Sequence, residues 1–360
     1  MATLDERYME QALALAERGR LGASPNPVVG CVIVRDGVVV GEGWHERAGT
    51  PHAEVNALRA AGVRARGAEV FVTLEPCSHT GRTPPCADAL IEAGVRRVVA
   101  AMPDPNPRVA GSGLQRLREA GIAISSGLLE ERAEALNPGF CRRMRTGRPW
   151  VRVKLAASLD GRTALADGSS QWLTGELARA DVHRWRARSD AIITGAGTVL
   201  ADDPELTARL PDQTRYPLRV VIDSQRRSDP AARVFRAQGE TLLAGVTPPS
   251  GAFGRKVRQI RLESAPGGVD LAALLDELGR LECNEVWVEA GARLAGGFLG
   301  AGLIDELLIY LGPSLLGMQA RPLMELPSPA TMAQRMEFTL LDVVPFGDDV
   351  RLRYCPVGSG

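Results

Sequence analysis

Short apolar runs alternate with helix-like segments along the first part of the chain. Apolar residues recur at helical spacing over 4–20, and the next two apolar runs meet at Asp36-Gly37, a dipeptide typical of a β-hairpin. The segments that follow alternate in type: helices are predicted over 52–61, 87–93, 113–120 and 129–144, and strands over 69–74, 97–101 and 122–125. This alternation predicts an α/β domain built around a layered sheet.

A charged stretch with two helix-breaking residues, 142–149, separates this series from a second one. The second series is again mixed: strands are predicted over 150–157, 191–194, 219–223, 241–244, 285–289, 304–311, 337–344 and 350–354, and helices over 177–187 and 271–281. A chain of 360 residues is also too long for one ordinary core. We therefore expect two α/β domains, over 1–146 and 147–360.

Composition and charge narrow the classes of protein. Lys and Arg total 43 and Asp and Glu total 43, so the formal net charge is zero, whereas a chain that coats nucleic acid or an anionic membrane is normally more basic. No apolar run approaches the roughly 20 residues of a membrane span, and the first residues lack the pattern of a signal sequence. We expect a cytoplasmic protein that acts on a small molecule and binds neither nucleic acid nor membrane.

One group of residues has the chemistry of a metal site. His52 and Glu54 lie at the start of a predicted helix, Cys77 follows a predicted strand, and Cys86 lies at another predicted helix start. One imidazole and two thiolates are ligands that zinc prefers, and three protein ligands leave a position open for water, as in catalytic zinc sites. Glu54 can move protons at that water without being a ligand. His-x-Glu followed by Pro-Cys and a later Cys is typical of zinc deaminases that act on heterocyclic amines.

The other four cysteines show no such pattern. Cys31 lies inside an apolar strand, which predicts a core position. Cys141, Cys283 and Cys355 have no His or acidic partner at ligand spacing, so we expect them to be core or surface thiols.

Two glycine-rich turns in the second series indicate anion binding. Gly195-Ala196-Gly197-Thr198 follows a short apolar strand, and the stretch from Gly291 to Gly297 opens a helix after the strand over 285–289. Both turns would let the backbone approach a phosphate closely. Neither matches the dinucleotide motif G-x-G-x-x-G, so the residues alone leave a nucleotide site and ordinary turn glycines equally open.

Longer runs carry a resemblance to a known family. The first part of the chain contains PNPVVGCVIVRDGVVVGEGWHERAG, VTLEPCSHTGRTPPCADALIEAGVRRVV and MPDPNPRVAGSG, and the second part contains LAASLDGR, SQWLT, VIDS and LIDEL. These runs resemble the bifunctional riboflavin-biosynthesis family, in which a diaminohydroxyphosphoribosylaminopyrimidine deaminase is joined to a 5-amino-6-(5-phosphoribosylamino)uracil reductase. Eight residues separate Cys77 from Cys86, whereas the common zinc-deaminase pattern has two. The chain resembles the riboflavin family in this longer loop as well.

The resemblance implies a fold, a reaction sequence and cofactors. It implies an N-terminal cytidine-deaminase-like three-layer α/β/α domain and a C-terminal dihydrofolate-reductase-like α/β domain. The first would deaminate a phosphoribosyl-diaminopyrimidine with zinc, and the second would reduce its ribosyl group to ribityl with NADPH. We also expect a homo-oligomer.

The resemblance further implies roles for individual residues. In the first domain His52, Cys77 and Cys86 would bind zinc and Glu54 would shuttle protons, and the substrate contacts would be Asn26, His45 and Arg82. In the second domain the substrate contacts would be Ser170, Arg186, Leu206, Arg209 and Glu289. The NADP contacts would be Ala156, Trp172, Thr198, Asp202, Ser224, Gly291, Ala292, Arg293, Leu294, Ala295, Gly296 and Gly297.

Elementary chemistry supports some of these roles and leaves others open. An amide such as Asn26 can bind a pyrimidine edge, although a position between two prolines equally suits a turn. Arg186 and Arg209 suit a clamp on the substrate phosphate. Trp172 equally fits the core, and Asp202-Asp203-Pro204 equally fits a helix N-cap and turn. Lys154, on the first strand of the second domain, is hypothesised to orient the sugar or to help protonate it.

Two other functions stay open on the sequence. The first domain could deaminate another base or nucleoside, although an aromatic content of 4% and the neutral charge do not favour nucleic-acid binding. The second domain could sense a nucleotide without reducing anything. The bifunctional deaminase and reductase is the function that the sequence favours.

Overall fold

The structure is a computed structural model that describes residues 2–78, 84–107, 109–170, 172–211 and 216–358. The chain divides into two compact units, Met1–Gly147 and Arg148–Gly360. Each unit contains both helices and strands, as the sequence predicted. No helix in the described ranges is long and apolar enough to cross a membrane.

The elements of the first unit follow the predicted alternation closely. In chain order they are α1 (Leu4–Glu17), β1 (Gly30–Arg35), β2 (Val38–Trp44), α2 (Ala53–Ala61), a short 3₁₀ helix (Gly62–Ala65), β3 (Glu69–Val72), α3 (Cys86–Ala93), β4 (Arg97–Ala100), α4 (Ser112–Glu119), β5 (Ala123–Ser126), α5 (Glu130–Leu136) and α6 (Pro138–Thr146). The predicted hairpin is confirmed, because Asp36 and Gly37 both have positive φ between β1 and β2.

Among the described residues, five strands of the first unit form one sheet in the order β2-β1-β3-β4-β5. Strand β1 is antiparallel to β2 and β3, whereas β3, β4 and β5 run parallel. The core lies between this sheet and the helices, and it contains Cys31, Val32 and Phe71. The parallel half places the carboxyl ends of β3 and β4 at one edge, where the chain continues towards Cys77.

The elements of the second unit are more numerous than the sequence pattern predicted. In chain order they are β6 (Trp150–Ser158), β7 (Arg162–Ala164), α7 (Glu176–Arg188), β8 (Ala191–Gly195), α8 (Ala196–Asp202), β9 (Leu218–Ile222), α9 (Arg233–Arg236), β10 (Thr241–Gly245), β11 (Val257–Arg261), β12 (Ser264–Ala265), β13 (Gly268–Val269), α10 (Leu271–Arg280), β14 (Glu285–Glu289), α11 (Ala292–Gly300), β15 (Glu306–Gly312), β16 (Arg321–Pro322), a 3₁₀ turn (Met332–Gln334), β17 (Phe338–Phe346) and β18 (Asp349–Pro356).

The main sheet of the second unit has nine strands within the described residues, in the order β11-β10-β9-β8-β14-β6-β15-β18-β17. Its first seven strands run parallel, and β18 and β17 complete it in antiparallel fashion. The centre of the sheet is apolar, as parallel strands covered by helices require, and includes Val153, Ile193 and Val288. The carboxyl ends of β6, β8, β9 and β14 therefore meet at one edge, the usual place for ligands in open α/β sheets.

Three predicted details of the fold are wrong. The helix predicted over 129–144 is two helices, because Asn137 directly precedes Pro138 and leaves the helical conformation. The Asn137 side chain bonds both the N–H and the C=O of Val28. The turn predicted at 195–198 is the start of α8, with Gly195 as N-cap. Asp202 ends that helix and is not an N-cap. Helix α8 follows β8 without a loop. It was not predicted because glycine, present at 195 and 197, has a low helix propensity.

Candidate active sites

Three side chains of the first unit gather their ligand atoms in one place. The Nδ1 atom of His52 lies 3.3 Å from Sγ of Cys86 and 3.7 Å from Sγ of Cys77. One ligand atom from each residue lies within 4.8 Å of the other two. One imidazole nitrogen and two sulfurs at this separation fit a zinc ion with three protein ligands, so the residues present suit the metal that the sequence predicted.

Local structure explains how these three residues meet. His52 is the N-cap residue of α2, and Cys86 is the first residue of α3. The backbone N–H of Cys86 donates to Sγ of Cys77 at 3.3 Å. A Cβ on Gly43 of β2 would lie 2.4 Å from the carbonyl oxygen of Ala53, so glycine lets α2 lie directly on the strand. Both predicted helix starts are confirmed.

Glu54 lies in the first turn of α2, beside the ligand cluster. Glu54 is 3% exposed, so its carboxyl group is removed from bulk water. Burial, and then the negative charge of Cys77, raises the pKa of the Glu54 carboxyl to about 7. A carboxyl with this pKa exchanges a proton readily near neutral pH, which is what a proton shuttle needs.

The thiols of the first unit differ in their electrostatic surroundings. Hydrogen bonds from the Cys86 thiol and from the His52 ring lower the pKa of Cys77, although burial opposes them. Burial raises the pKa of the separate core thiol Cys31, which lies inside β1. The hydrogen bond to Cys77, and then burial, raise the pKa of Cys86, so Cys77 is the thiol of the ligand cluster whose thiolate is favoured.

Asn26 and His45 form a second pair beside this cluster. Nδ2 of Asn26 lies 3.1 Å from Nε2 of His45, and Nδ1 of His45 lies 3.2 Å from the carbonyl oxygen of Pro51. Burial lowers the pKa of His45, so its ring is neutral, donates to Pro51 and accepts from Asn26. The ring of His45 also lies edge-on to His52 at 5.2 Å. The structure thus brings Asn26 and His45 to the metal ligands, while Arg82 lies outside the described residues.

Glu75 was not singled out by the sequence analysis, yet its side chain orders the wall next to Cys77. Its buried carboxylate accepts four backbone N–H groups, from Asp104 at 3.0 Å, Gly111 at 2.8 Å, Gly113 at 2.8 Å and Leu114 at 3.3 Å. A Cβ on Gly113 would lie 1.8 Å from the carbonyl oxygen of Pro76. The signal was present in the sequence as an acidic residue directly after an apolar strand, but such a residue alone does not indicate its partners.

The second unit contains a cavity of about 2080 Å³ at the carboxyl edge of its main sheet. Most of the residues that the sequence assigned to substrate and cofactor line this cavity. They are Lys154, Ala156, Ser170, Trp172, Arg186, Thr198, Asp202, Leu206, Arg209, Ser224, Glu289, Gly291, Ala292, Arg293, Leu294, Gly296 and Gly297. Ligand pockets are typically about 300–1,000 Å³, so a cavity of this size has room for more than one ligand.

Charged groups are paired at the centre of this cavity. The Arg186 guanidinium donates to both carboxylate oxygens of Glu289, and its Nη1 donates to the carbonyl of Thr207 at 3.1 Å. Burial by itself would raise the pKa of Glu289, but Arg186, Lys154 and the indole N–H of Trp287 lower it to about 2. The role of Arg186 as a phosphate clamp stays a prediction, since its guanidinium already binds a carboxylate.

Lys154 lies next to Glu289 in the sheet, because the two residues are partners in the pairing of β6 with β14. Burial lowers the pKa of Lys154, while the Glu289 carboxylate opposes that shift. Its Nζ lies 6.0 Å from the ring centroid of Tyr310. An ammonium in this setting gives up its proton more readily than an exposed lysine does.

The glycine-rich stretch after β14 is the beginning of a helix rather than an open loop. Gly291 is the N-cap of α11, so the first N–H groups of the helix have no partner in the preceding turn. Such groups suit the phosphates of a dinucleotide, and the residues present therefore fit NADPH. Ala295 is fully buried in the core and is not among the residues that line the cavity, so its contact with the cofactor stays a prediction.

Trp172 and Ser224 lie at other parts of the cavity wall. Trp172 is 71% exposed, so the alternative core position is wrong, and its ring lies under the guanidinium of Arg179 at 4.8 Å. Ser224 follows β9, and a Cβ on Gly268 would lie 2.4 Å from its hydroxyl oxygen. Both residues are placed where a ligand in the cavity would meet them.

The four cysteines outside the ligand cluster behave as the sequence predicted. Cys31, Cys141 and Cys283 are buried and Cys355 is half-buried. Within the described residues none of the six cysteines forms a disulfide.

Comparisons with known proteins agree with both sites. The family model described as the cytidine and deoxycytidylate deaminase zinc-binding region matches residues 2–102. The model described as the RibD C-terminal domain matches residues 149–352. These matches and the two sites define a two-domain enzyme, a zinc-dependent deaminase followed by an NADPH-dependent reductase.

Relatives cover nearly the whole chain. The riboflavin biosynthesis protein RibD of Escherichia coli is 54% identical over 97% of this chain and 98% of its own length, and that of Haemophilus influenzae is 47% identical over 98% and 97%. The solved RibD structure from Acinetobacter baumannii matches with a TM-score of 0.93 at 46% identity over 98% of this chain and 99% of that one. A deaminase/reductase structure from Thermotoga maritima matches with a TM-score of 0.89 at 33% identity over the same shares. The chain belongs to the RibD family of riboflavin biosynthesis proteins, which confirms the resemblance.

Proposed function

We propose that the chain catalyses two successive steps on one phosphoribosyl-pyrimidine. Residues 1–146 hydrolyse the amino group of 2,5-diamino-6-(5-phosphoribosylamino)pyrimidin-4-one, which gives 5-amino-6-(5-phosphoribosylamino)uracil and ammonia. Residues 147–360 then reduce the ribosyl group to ribityl. The relative from Thermotoga maritima carries these two activities in its name. The main support for the first step is that the ligand atoms of His52, Cys77 and Cys86 lie close together, beside the buried Glu54.

In the deamination, His52, Cys77 and Cys86 would hold zinc. When bound, zinc supplies the Lewis acidity that makes water a nucleophile near neutral pH. The Glu54 carboxylate takes a proton from that water and passes it to the pyrimidine and its leaving amino group. Asn26 donates one amide N–H to His45, so its carbonyl oxygen stays available to accept from an amino group of the substrate.

In the reduction, the cavity of the second unit holds both reactants. NADPH supplies the hydride when bound, and the start of α11 together with Ser224 and Thr198 would hold it. Arg209 binds the substrate phosphate, and the Arg186–Glu289 pair lies beside the sugar. Lys154 orients the sugar or protonates it, a role that its lowered pKa supports.

The experiment follows the mass of the substrate. Purified protein is analysed for metal and then incubated with the diaminopyrimidine, with and without NADPH. We expect stoichiometric zinc, a first product that has exchanged an amino group for an oxygen, and a gain of two hydrogens only when NADPH is present. A product that keeps its amino group, or a substrate that is not consumed, would contradict the proposal.

The Lys154 role has its own test, because Lys154→Met removes the ammonium and keeps an apolar stem of similar length. We expect slower reduction of the deaminated substrate with unchanged deamination. A normal rate of reduction would remove Lys154 from the proposal.

We also propose a homo-oligomer in the cytoplasm. Strand β17 lies at the edge of the nine-stranded sheet and exposes the side chains of Leu340, Leu341 and Val343, which favours pairing with a second copy. Six cysteines without a disulfide suit a reducing compartment. Light scattering of the purified protein measures the oligomeric state.

A further inference from the structure

His183 and Arg209 make two contacts in the wall of the second-unit cavity. Nη2 of Arg209 lies 3.0 Å from Nε2 of His183, and the backbone nitrogen of Arg209 lies 3.3 Å from Nδ1 of the same ring. His183 lies on α7, and both side chains line the cavity. One imidazole ring thus contacts both the backbone and the guanidinium of a residue that lies 26 positions later in the chain.

The ring of His183 is neutral in this setting. Burial, and then the positive charges of Arg186 and Arg209, lower the pKa of His183 to about 4. Arginine has only donors and a neutral imidazole has a single acceptor nitrogen, so Nε2 accepts from the guanidinium and Nδ1 carries the ring proton. The contact therefore fixes the direction of the Arg209 side chain without competing for its charge.

Little else holds the Arg209 guanidinium within the described residues. Its side chain is 63% exposed, and its contact with Glu205 is a long ion pair of 3.7 Å. An exposed pair of this kind restrains a side chain weakly. Arg186, one turn along α7 from His183, donates to the carbonyl of Thr207 and holds the same segment of chain. Helix α7 therefore holds the segment 205–209 through two of its side chains.

We propose that His183 is a positioning residue for substrate binding in the reductase step. It holds Arg209 so that the guanidinium meets the phosphate monoester of the substrate, while His183 itself touches neither the sugar nor the nicotinamide. The inference rests on the proposed function, and in particular on Arg209 as a phosphate contact. Because a positioning residue acts before chemistry begins, its loss changes binding of the substrate more than the rate of hydride transfer.

The test is a double-mutant cycle with the deaminated substrate and saturating NADPH. His183→Ala is expected to raise KM about tenfold with kcat within about twofold, the size expected for losing one charged hydrogen bond. Arg209→Ala is expected to raise KM further, and the double variant is expected to equal Arg209→Ala, since His183 acts through Arg209. His183→Gln, whose amide oxygen can accept from the guanidinium, is expected to recover most of the affinity.

Controls separate positioning from a general loss of structure. Arg184→Ala changes an exposed residue next to His183 on the same helix and is expected to keep the wild-type KM. The kcat of reduction and the binding of NADPH by the same preparations report on the amount of folded second unit, which contains both residues.

Two outcomes overturn the inference, and they differ. Additive effects of His183→Ala and Arg209→Ala on KM would show that His183 acts independently, while the phosphate role of Arg209 would survive. An unchanged KM in Arg209→Ala would remove that role from the proposed function and the positioning role with it.

Discussion

The guanidinium of Arg186 binds the carboxylate of Glu289 through two parallel hydrogen bonds, one of which, from Nη2 to Oε2, is 2.7 Å long. The side chains are 14% and 12% exposed, so both charges are largely removed from water. The indole N–H of Trp287 donates to the same carboxylate at 2.7 Å. Removing one charge of such a pair leaves the other buried without compensation, which costs more than an exposed pair contributes.

We predict that Glu289→Gln destabilises the second unit at neutral pH and slows the reduction. The pKa of Glu289 is lowered from 4.5 to about 2 in the folded chain, so its stabilising effect is present above 4.5 and is lost as the pH falls towards 2. The shift corresponds to roughly 3 kcal/mol at pH 7. Hydrogen-exchange protection of the β14 backbone over 285–289, in wild type and variant at pH 7 and pH 3, measures the stability of the second unit by itself. The difference in stability should shrink at the lower pH, and an equal difference at both would contradict the assignment.

Glu54→Gln should abolish most of the deamination while leaving the metal site intact. The amide has nearly the same shape as the carboxyl group but cannot accept and return a proton, and a positioned acid or base contributes about 10²–10⁴-fold to rate. Ammonia release measures the effect, and metal analysis should still find zinc. Reduction of the deaminated substrate by the same variant is the control. Deamination at the wild-type rate would exclude Glu54 as the proton shuttle.

Cys77→Ser and Cys86→Ser should each lose most of the zinc. A neutral hydroxyl is a much poorer ligand than a thiolate, and two remaining protein ligands bind the ion weakly. Cys355→Ser changes a half-buried thiol in the second unit and is the matched control. Zinc content and ammonia release are measured together. Retention of full zinc in Cys86→Ser would mean that another group ligates the metal.

Much of the fold could be predicted because its signals are local. The dipeptide Asp36-Gly37 needs only its own backbone preference to form a turn, and the apolar run over 285–289 has the length and composition of a buried strand. The residues of the metal site were also found from spacing, since zinc restricts its ligands to a few residue types.

The remaining features depend on contacts between distant parts of the chain. Asn137 leaves the helical conformation directly before Pro138, which is a local signal, but its side chain also bonds Val28, 109 positions earlier, and no local pattern contains that partner. Glycines concealed α8, because helix propensity is a weak guide when a strand leads directly into the helix. The pairing of Arg186 with Glu289 spans 103 positions, so the sequence suggested a phosphate contact where the structure has an ion pair.

The carboxylate of Glu75 leads to a last prediction, about the wall next to Cys77. It accepts four N–H groups from 104–114 and lies two residues before a metal ligand. Glu75→Gln would replace one oxygen by an amide group that points its own hydrogens at these donors. We expect a loss of about 2–4 kcal/mol of stability in the first unit, because hydrogen bonds to a charged group are lost and buried donors are left unsatisfied.

Hydrogen exchange over 109–114 measures this change directly, since the chain has two units and a single unfolding curve would mix them. Exchange should accelerate there, and the KM for deamination should rise because the wall no longer holds its position. Glu119→Gln is the matched control, because Glu119 is an exposed acid on α4, the helix that contains Gly113 and Leu114. It should change neither the exchange rate nor the KM. If exchange over 109–114 stays at its wild-type rate in Glu75→Gln, the carboxylate is not what orders this wall, and the tight approach of Gly113 to Pro76 must do so alone.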